Sequence, residues 1–423
     1  MECDVLRRLI LVILIACHFL ISVERGLTSE TTGWRQIDGN PVTNTVLEIE
    51  GLEEAQAVRW KVELPGEGAS TPVIVGDVAY LTYSFGEQHR TLCTTAFDLK
   101  SGQRLWERRM LGAPTPVFEQ FPPLRGHAQP SVVIAQGVVV SFFSTGNVAA
   151  YTVDGEPLWF RDLQKSYGLI DNDYGLAGSP IVVQDRVILQ VDQAQGSYLI
   201  ALNLNSGETV WRTLRADVSD NWSTPVATPE DSGSEPVIIC SGTHRLAGFS
   251  LRTGDRLWVV DGLERLCCPI PMLHQGKLVV TSGPGGNTRC YRFPEGYSKA
   301  PVVDWSTTKG AGFVPSGICS NGLFFYANDQ GILTALDLEN GKEVWTRRLE
   351  GRFRGSPVAD QHHVVFANID GKSWIVRNDR QGEVVKEINW DTAIASSLQI
   401  YRSGLLIRTA DSLMLINART GSN

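Results

Sequence analysis

Short stretches of alternating apolar and polar residues recur along the chain, each bounded by glycine, asparagine or aspartate. One of them, LTALDLENGKEVWTRRL, spans residues 333–349 and has Asn340 and Gly341 between two apolar runs. Alternation on both sides of an Asn-Gly pair predicts a β-hairpin, because this pair readily adopts the positive φ angles of a tight turn. Nearly the same phrase occurs in YLIALNLNSGETVWRTL and RLAGFSLRTGDRLWVV. The chain therefore repeats one hairpin.

Each repeat can be divided into four strands, and a tryptophan marks the fourth. The first strand begins at a Ser/Thr-Pro-like step, as in STPV at 70–73 and SPIV at 179–182. The fourth-strand anchors are Trp60, Trp106, Trp159, Trp211, Trp258, Trp305, Trp345 and, in degenerate form, Val385. They follow one another at about 40–53 residues, a period typical of β-propeller blades. We expect these tryptophans to be structural and to wedge between neighbouring blades.

The two ends of the repeat region decide between a ring and an open array. The region begins with a lone fourth strand, AVRWKVEL at 57–64, and finishes with a lone third strand and turn, SLMLINARTG at 412–421. Together they make one complete unit, and closure removes the free edges that a solenoid would expose. The sequence thus predicts an all-β, eight-bladed β-propeller of four-stranded antiparallel blades, closed by the N-terminal strand completing the last blade.

The first 30 residues follow a different pattern. Arg7 and Arg8 precede LILVILIACHFLISV, a charged segment followed by an apolar one, which is typical of an export signal. The run is short for a membrane-spanning helix. LIAC at 14–17 resembles a lipobox, so Cys17 is a candidate for lipidation; cleavage further along and an uncleaved anchor remain open. We expect a signal at 1–26, a lead segment at 27–56 and the propeller at 57–423, in an exported protein of the periplasm or cell envelope.

Composition narrows the class of function. The 423 residues are 43% hydrophobic and 20% charged, with a net charge of −8, and no basic run lies beyond the N-terminus, which disfavours nucleic-acid binding. The cysteines after the signal are scattered and show neither a disulfide framework nor the spacing of a zinc site. We therefore expect no bound metal, and we separately expect the propeller to be a monomer.

The repeat also resembles a known family. ALDLENGKEVW at 335–345 and ALNLNSGETVW at 201–211 are similar to the A-x-D-x-x-T/S/N-G-x-x-x-W repeat of propellers of the pyrroloquinoline-quinone (PQQ) type. The resemblance covers nearly the whole chain from Trp60 onward. That family includes quinoprotein dehydrogenases, the outer-membrane assembly lipoprotein BamB and uncharacterised exported bacterial proteins, so the resemblance implies the fold more strongly than it implies a function.

In a propeller, the loops that enter the first strands gather around one mouth of the central channel, where ligands usually bind. The candidate binding residues on these loops are His127, Asp171, Asn172, Asp173, Trp222, Arg352, Arg354 and Asp391. This set contains both charges, an aromatic ring and an imidazole. We expect it to hold a small polar ligand or a loop of an envelope protein partner.

The resemblance also raises a catalytic alternative, a PQQ-dependent alcohol or sugar dehydrogenase. In such enzymes the quinone lies beneath a disulfide between adjacent cysteines, calcium polarises it and an aspartate acts as the base. Cys267 and Cys268 are a candidate vicinal disulfide, and DNDY at 171–174 offers oxygen ligands suited to calcium.

The match to the dehydrogenases fails in detail. Pro-Ile-Pro follows the cysteine pair, where the dehydrogenases have Asn-Arg-Gly, and we find no further signature of the calcium ligands or the base. The G-x-S-x-G and H-E-x-x-H motifs of other enzymes are also missing from the sequence. We expect a binding or scaffold protein with no catalytic residues and no cofactor, and assign PQQ and calcium only to the alternative.

Overall fold

The computed structural model describes residues 32–33, 39–53, 57–114, 126–230, 234–283, 285–308, 312–394 and 396–417. Within these ranges the protein is built from β-strands, with a short α-helix, α1 (Leu163–Tyr167), and a single-turn 3-10 helix at Glu87–His89. Strands β1 (Thr32–Gly33) and β2 (Val58–Glu63) precede the repeated units. The candidate signal at 1–26, with Cys17, lies outside the described residues.

The repeated units form eight antiparallel sheets, which we number as blades 1 to 8. Blade 1 contains β3 (Val73–Val75), β4 (Val78–Phe85), β5 (Thr91–Asp98) and β6 (Arg104–Leu111), and blade 2 contains β7 (Val133–Ala135), β8 (Val138–Phe142), β9 (Asn147–Thr152) and β10 (Pro157–Asp162). Blade 3 contains β11 (Ile181–Val183), β12 (Arg186–Val191), β13 (Tyr198–Asn203) and β14 (Thr209–Leu214), and blade 4 contains β15 (Val226–Ala227), β16 (Val237–Gly242), β17 (Arg245–Ser250) and β18 (Arg256–Asp261).

Blades 5 to 8 continue in the same way, and β2 joins the last of them. Blade 5 contains β19 (Met272–His274), β20 (Lys277–Thr281), β21 (Thr288–Arg292) and β22 (Val302–Thr307), and blade 6 contains β23 (Ile318–Ser320), β24 (Leu323–Ala327), β25 (Ile332–Asp337) and β26 (Glu343–Arg348). Blade 7 contains β27 (Val358–Ala359), β28 (His363–Ala367), β29 (Lys372–Arg377) and β30 (Val384–Asn389), and blade 8 contains β31 (Gln399–Tyr401), β32 (Gly404–Arg408) and β33 (Ser412–Asn417) together with β2. The all-β, eight-bladed propeller predicted from the sequence is confirmed.

In four of the eight blades, the repeated Ala and Trp of the motif face each other. In blade 3, Ala201 on β13 is paired with Trp211 on β14, and the register shifts directly after Ala201. Blades 1, 2 and 6 repeat both the Ala–Trp pair and the shift. A small residue leaves room beside the large indole, and the irregularity re-aims the outer strand as β-bulges do. The Ala and Trp of the motif are therefore explained by the local geometry of the hairpin.

Each tryptophan also reaches the next blade. The indole Nε1 of Trp211 donates a hydrogen bond of 2.8 Å to the carbonyl oxygen of Leu251 in blade 4. The other anchors donate in the same way to the carbonyls of Leu99, Val153, Leu204, Tyr297, Leu338 and Asp379. A Cβ on Gly254 would lie 2.5 Å from Cε3 of Trp211, so the glycine of the neighbouring turn admits the ring. Turn and tryptophan are thus complementary across the blade boundary.

Blade 8 contains both ends of the repeat region. β2 runs antiparallel to β33, with Lys61 opposite Met414. Blade 8 also packs against blade 1, where the hydroxyl of Tyr401 donates a 2.5 Å hydrogen bond to Asp77 Oδ1. The two segments that lack partners in the sequence pattern therefore pair with each other.

Within the lead segment, the described residues 32–33 and 40–42 lie beside the innermost strands of the ring. β1 pairs with β7 of blade 2. Asn40 is buried and acts like a strand residue, since its side chain accepts from the backbone N–H of Cys319 and donates to the Cys319 carbonyl, both at 2.9 Å. Val42 then bridges in parallel to Ala359 of blade 7. These contacts bring the chain along the channel wall at the end away from the mouth.

Among the residues described, no helix is long and apolar enough to cross a membrane.

Candidate functional site

A ring of hydroxyl groups links neighbouring blades at the start of their first strands. Backbone N–H groups donate to the side-chain oxygen of the equivalent residue in the next blade: Thr71 to Ser131, Ser131 to Ser179, Ser179 to Thr224, Ile270 to Ser316, Ser316 to Ser356 and Ser356 to Ser397, at 2.8–3.0 Å. Among the described residues the series is broken twice: the equivalent residue in blade 5 is Ile270, which has no hydroxyl to accept from blade 4, and no such bond joins Ser397 of blade 8 to Thr71 of blade 1. The Ser/Thr-Pro-like step of the sequence is therefore an interblade contact.

The ring surrounds a cavity of about 400 Å³ at the mouth of the channel. The lining comes from all eight blades: Ala69, Thr71, Gly126, Gln129, Ser131, Tyr174, Ala177, Ser179, Trp222, Thr224, Leu266, Cys268, Ile270, Phe313, Val314, Ser316, Asp329, Arg354, Gly355, Ser356, Ser396 and Ser397. Concave sites with a few convergent polar groups are where ligands usually bind. Two of the predicted binding residues, Trp222 and Arg354, line this cavity.

An aromatic pair forms one wall. The rings of Tyr174 and Trp222 meet edge to face, with centroids 5.5 Å apart. The indole Nε1 of Trp222 donates to the Gly175 carbonyl at 2.9 Å and to Asn172 Oδ1 at 3.2 Å. Asn172, a predicted binding residue, is itself buried and donates to the Asp192 carbonyl. Its role in this geometry is to hold the aromatic wall.

A buried ion pair supports the loop that carries Trp222. Arg215 donates through Nη1 to both carboxylate oxygens of Asp192, at 2.8 and 2.9 Å, and neither side chain is more than 2% exposed. Asn221 donates to the same carboxylate and to the Ser241 carbonyl. Removing one partner would leave a buried charge uncompensated, which is costly. This network therefore fixes the backbone directly before Trp222.

The opposite wall carries a guanidinium and a carboxylate. Arg354 is half-buried, and burial together with the nearby Arg352 lowers its pKa, against the effect of Asp329. Asp329 accepts backbone N–H groups from Phe313 at 2.6 Å and Val314 at 3.2 Å. The carboxylate thus orders the loop beside it.

Acidic side chains lie on the same two loops as the aromatic wall. Asp171 and Asp173 are exposed on the loop entering blade 3, and Asp220 lies on the loop entering blade 4. Burial raises the pKa of Asp220, and the charges of Asp173 and Asp171 raise it further. Within the described part of the chain, Oδ1 of Asp220 is buried and makes no hydrogen bond. The mouth therefore has a cluster of negative charge at its edge.

Asp171, Asn172 and Asp173 are not part of the cavity lining, and three further predicted binding residues also lie outside it. His127 is fully buried between blades, and burial lowers its pKa to about 4. Arg352 is exposed, and its backbone N–H contacts Asp370. Asp391 is also exposed, and Asn389 donates to it at 2.8 Å. In blade 2 it is Gln129, two residues after His127, that lines the cavity.

The cysteine pair is not a disulfide in this structure. Both thiols are free: Cys267 is buried with its Sγ near the Glu264 carbonyl, whereas Cys268 lines the cavity. Burial raises the pKa of the Cys268 thiol, so it is a poor nucleophile at neutral pH. The vicinal disulfide considered from the sequence is therefore not formed, since the two side chains face different surroundings.

The donors present do not suit calcium. Calcium takes six to eight oxygen ligands, but Asp329 is the sole carboxylate among the described lining residues, and both its oxygens already accept backbone N–H groups. No group of three or more metal-ligating side chains occurs in the described ranges. The residues also lack the disulfide beneath which the quinone lies in the dehydrogenases. The cavity consequently does not fit the calcium-quinone pair of the catalytic alternative.

Sequence reasoning missed Asp329 and the hydroxyl ring. Asp329 lies on the loop between the second and third strands of blade 6. In an antiparallel blade that loop emerges at the same end as the loop entering the first strand. The order of the strands in the sequence would therefore have been enough to place Asp329 at the mouth. The repeated Ser/Thr-Pro-like step was visible as well, but its interblade partner was not.

The comparisons with known proteins agree with this architecture. A family model described as outer membrane protein assembly factor BamB matches residues 51–168, 94–261 and 295–422. BamB of Yersinia pestis is 26% identical over 260 residues, which are 58% of this chain and 59% of that relative. The chain thus spans less than two thirds of that relative's length.

Solved structures show the same fold at low identity. BamB from Moraxella catarrhalis matches with a TM-score of 0.64 and 15% identity, covering 86% of this chain and 98% of that one. A europium-containing methanol dehydrogenase matches with a TM-score of 0.67 and 12% identity, covering 95% and 100%. These likenesses support the propeller fold alone. Because the family model matches most of the sequence, the chain belongs to the BamB family of PQQ-type β-propellers.

Proposed function

We propose that the protein is a scaffold of the cell envelope that holds a protein partner at the channel mouth and takes part in outer membrane protein assembly. The observation that carries the proposal is the open cavity to which all eight blades contribute. A rigid ring with variable loops at one end suits recognition, because loops on a fixed scaffold often carry function. The family's description as an assembly factor supplies the process.

The chemistry of the cavity supports binding over catalysis by its own side chains. An enzyme that uses a side-chain nucleophile needs an activating base within hydrogen-bond reach. Cys268 is the thiol in the lining, and burial raises its pKa. The imidazole predicted for the mouth, His127, is instead enclosed between blades. The described lining is better suited to contact a ligand than to transform it.

Export and anchoring belong to the same proposal. The charged and apolar segments of residues 1–26 would direct the chain out of the cytoplasm, with Cys17 as the candidate lipid attachment site. Labelling cells with a radioactive fatty acid should mark the protein, and Cys17→Ser should abolish the label. A labelled Cys17→Ser variant would reject lipidation at this position.

Site-specific photo-crosslinking in cells tests the partner site. A photoreactive residue at Tyr174, 41% exposed at the mouth, should give a discrete crosslink to a protein of the outer membrane assembly machinery. The control position is Lys342, exposed on a turn at the opposite face. Loss of the gene should also lower the amount of folded outer-membrane proteins. Crosslinks from Lys342 alone, or unchanged outer-membrane proteins, would contradict the proposal.

A quinoprotein dehydrogenase is the second candidate, raised by the adjacent Cys267 and Cys268 and by the resemblance of the repeat to PQQ-type propellers. Purified protein reconstituted with PQQ and calcium should reduce no dye with alcohols or sugars, because the donors do not suit calcium. The control is boiled protein under the same conditions. Dye reduction above that control, lost on Asp173→Ala or Cys267→Ser, would establish the catalytic alternative.

A further inference from the structure

Opposite charges stand on opposite sides of the mouth. Arg352 and Arg354 lie on the loop entering blade 7, whereas Asp171 and Asp173 lie on the loop entering blade 3. In a ring of eight blades, blades 3 and 7 are diametrically opposed. A ligand that crosses the mouth therefore meets carboxylates at one end and the Arg354 guanidinium, with the exposed Arg352 behind it on the same loop, at the other.

The acidic side combines charge with an aromatic surface. Trp222 has already used its Nε1 for Gly175 and Asn172, so what it presents to the cavity is its ring. The carboxylate of Asp220 is two residues away, and its Oδ1 is buried without a hydrogen bond in the part of the chain described. An aromatic face beside carboxylates attracts an ammonium or guanidinium group through both cation–π and ionic contacts.

The basic side suits a carboxylate. Arg354 lines the cavity and is half-buried. Its carboxylate neighbour, Asp329, orders the adjacent loop by accepting backbone N–H groups and also acts on Arg354 through its charge. A planar guanidinium can bind a carboxylate through two parallel hydrogen bonds. An incoming carboxylate would also offset the repulsion between Arg354 and Arg352, which is one cause of the lowered pKa of Arg354.

Neutral donors lie between the two ends. The hydroxyls of Ser131, Ser179 and Ser356 accept backbone hydrogen bonds from a neighbouring blade, yet a hydroxyl that accepts still has a hydrogen to donate. These residues line the cavity. Carbonyl oxygens of a bound backbone are suitable acceptors for them.

We propose that the mouth binds a short zwitterionic peptide segment, with its cationic group at Asp171, Asp173, Asp220 and Trp222 and its carboxylate at Arg354. The inference rests on the proposed use of the mouth as a binding site and names the chemistry of what it holds. The two charges can come from the free ends of a short peptide or from a lysine and an acidic side chain on a partner's loop.

Isothermal titration calorimetry with two synthetic probes distinguishes these sources. The first probe is trialanine with free ends, tested beside its N-acetylated and C-amidated forms. The second is an acetylated and amidated peptide with one lysine and one glutamate separated by alanines. Binding of trialanine that is lost on blocking either end identifies free termini, and binding of the second probe identifies a partner's loop. If neither probe binds, the inference is wrong.

Variants of the two ends test the assignment of residues. Arg354→Gln and Asp220→Asn should each lower the affinity for the probe by roughly tenfold or more, because each removes a charge-assisted contact. Arg354→Lys keeps the charge without the planar fork, so its loss should be smaller. Matched controls are Arg252→Gln and Asp255→Asn, both exposed on the turn between the third and fourth strands of blade 4, at the end away from the mouth, which should leave affinity unchanged.

The two proposals can fail separately. Circular dichroism melts like those of the parent would show that the variants fold. Equal affinity of the parent and a folded Arg354→Gln variant would overturn the zwitterion inference. If no probe binds but Tyr174 still crosslinks an assembly protein, the inference fails and the scaffold proposal stands. If a probe binds and Arg354→Gln weakens it, while Tyr174 gives no crosslink, the scaffold proposal fails alone.

Discussion

Removing the indole of Trp211 should destabilise the boundary between blades 3 and 4. The side chain is only 9% exposed, packs in a cluster with Ile238 and Ala247 of blade 4, and hydrogen-bonds the Leu251 carbonyl at 2.8 Å. Truncating a buried aromatic residue to alanine typically costs about 3–5 kcal/mol. We therefore expect Trp211→Ala to lower the free energy of unfolding by about 3–5 kcal/mol.

Urea denaturation followed by circular dichroism measures this loss. Val210→Ala is the matched control, since Val210 precedes Trp211 on β14 but is 42% exposed, and exposed substitutions usually change stability by about 0.5 kcal/mol or less. Trp211→Phe keeps an aromatic ring but leaves the Leu251 carbonyl without its donor, which should cost about 1–3 kcal/mol.

A double-mutant cycle gives the strictest test. Gly254→Ala alone should be destabilising, because its Cβ would lie 2.5 Å from the indole and its φ is +75°. In the Trp211→Ala background the clash with the indole is gone, whereas the 2.8 Å contact with Thr213 Oγ1 and the positive φ remain. The added cost of Gly254→Ala should therefore be smaller but not zero. Additive costs, or a Trp211→Ala variant as stable as Val210→Ala, would refute the interblade role of the ring.

Three further predictions concern closure, the hydroxyl ring and pH. Deleting residues 57–64 removes β2 and leaves β33 as an exposed edge, so light scattering should detect oligomers; a monomeric variant that melts like the parent would argue against closure by this strand. Ser356→Ala leaves the buried N–H of Ser316 without its acceptor and should lower the free energy of unfolding by about 1–3 kcal/mol, whereas the exposed control Ser206→Ala should not. The pKa of His127 falls from 6.5 to about 4 on folding, so the unfolded state takes up the proton first and stability should fall as pH drops from 6.5 to 4. His127→Gln should flatten that decline in urea midpoints, and an unchanged slope would exclude His127 as its cause.

The sequence by itself determined the fold class and the number of blades. The reason is that the hairpin is local: Ala201, Gly207 and Trp211 lie within eleven consecutive residues, and a short repeated pattern therefore contains both the strand pair and its turn. The tryptophan spacing then fixed how many times the pattern occurs. The two strands that pair in blade 8, β2 and β33, could also be recognised, because each belongs to a repeat unit that is incomplete in the sequence.

Only the tertiary structure decided which side chains face the cavity. Trp222 and Arg354 line it, whereas His127, chosen from the same kind of loop, is buried and Asp391 stays at the surface. The conformation of these loops is not periodic, so position along the chain does not specify where a side chain points. The contacts that orient them cross blade boundaries, as in the hydrogen bond from Trp222 to Asn172, 50 residues away.

The lead segment shows the same division. Nothing in residues 39–53 repeats, and no pattern predicted that Asn40 would pair with the backbone of Cys319, 279 residues further along. Such a contact exists because ring closure brings the inner strands of distant blades to one axis, where a buried polar side chain must find a hydrogen-bond partner. Each blade can be predicted from the sequence because its strands pair with strands that are close along the chain. The site and the channel wall depend instead on contacts between residues of distant blades, which form only in the closed ring.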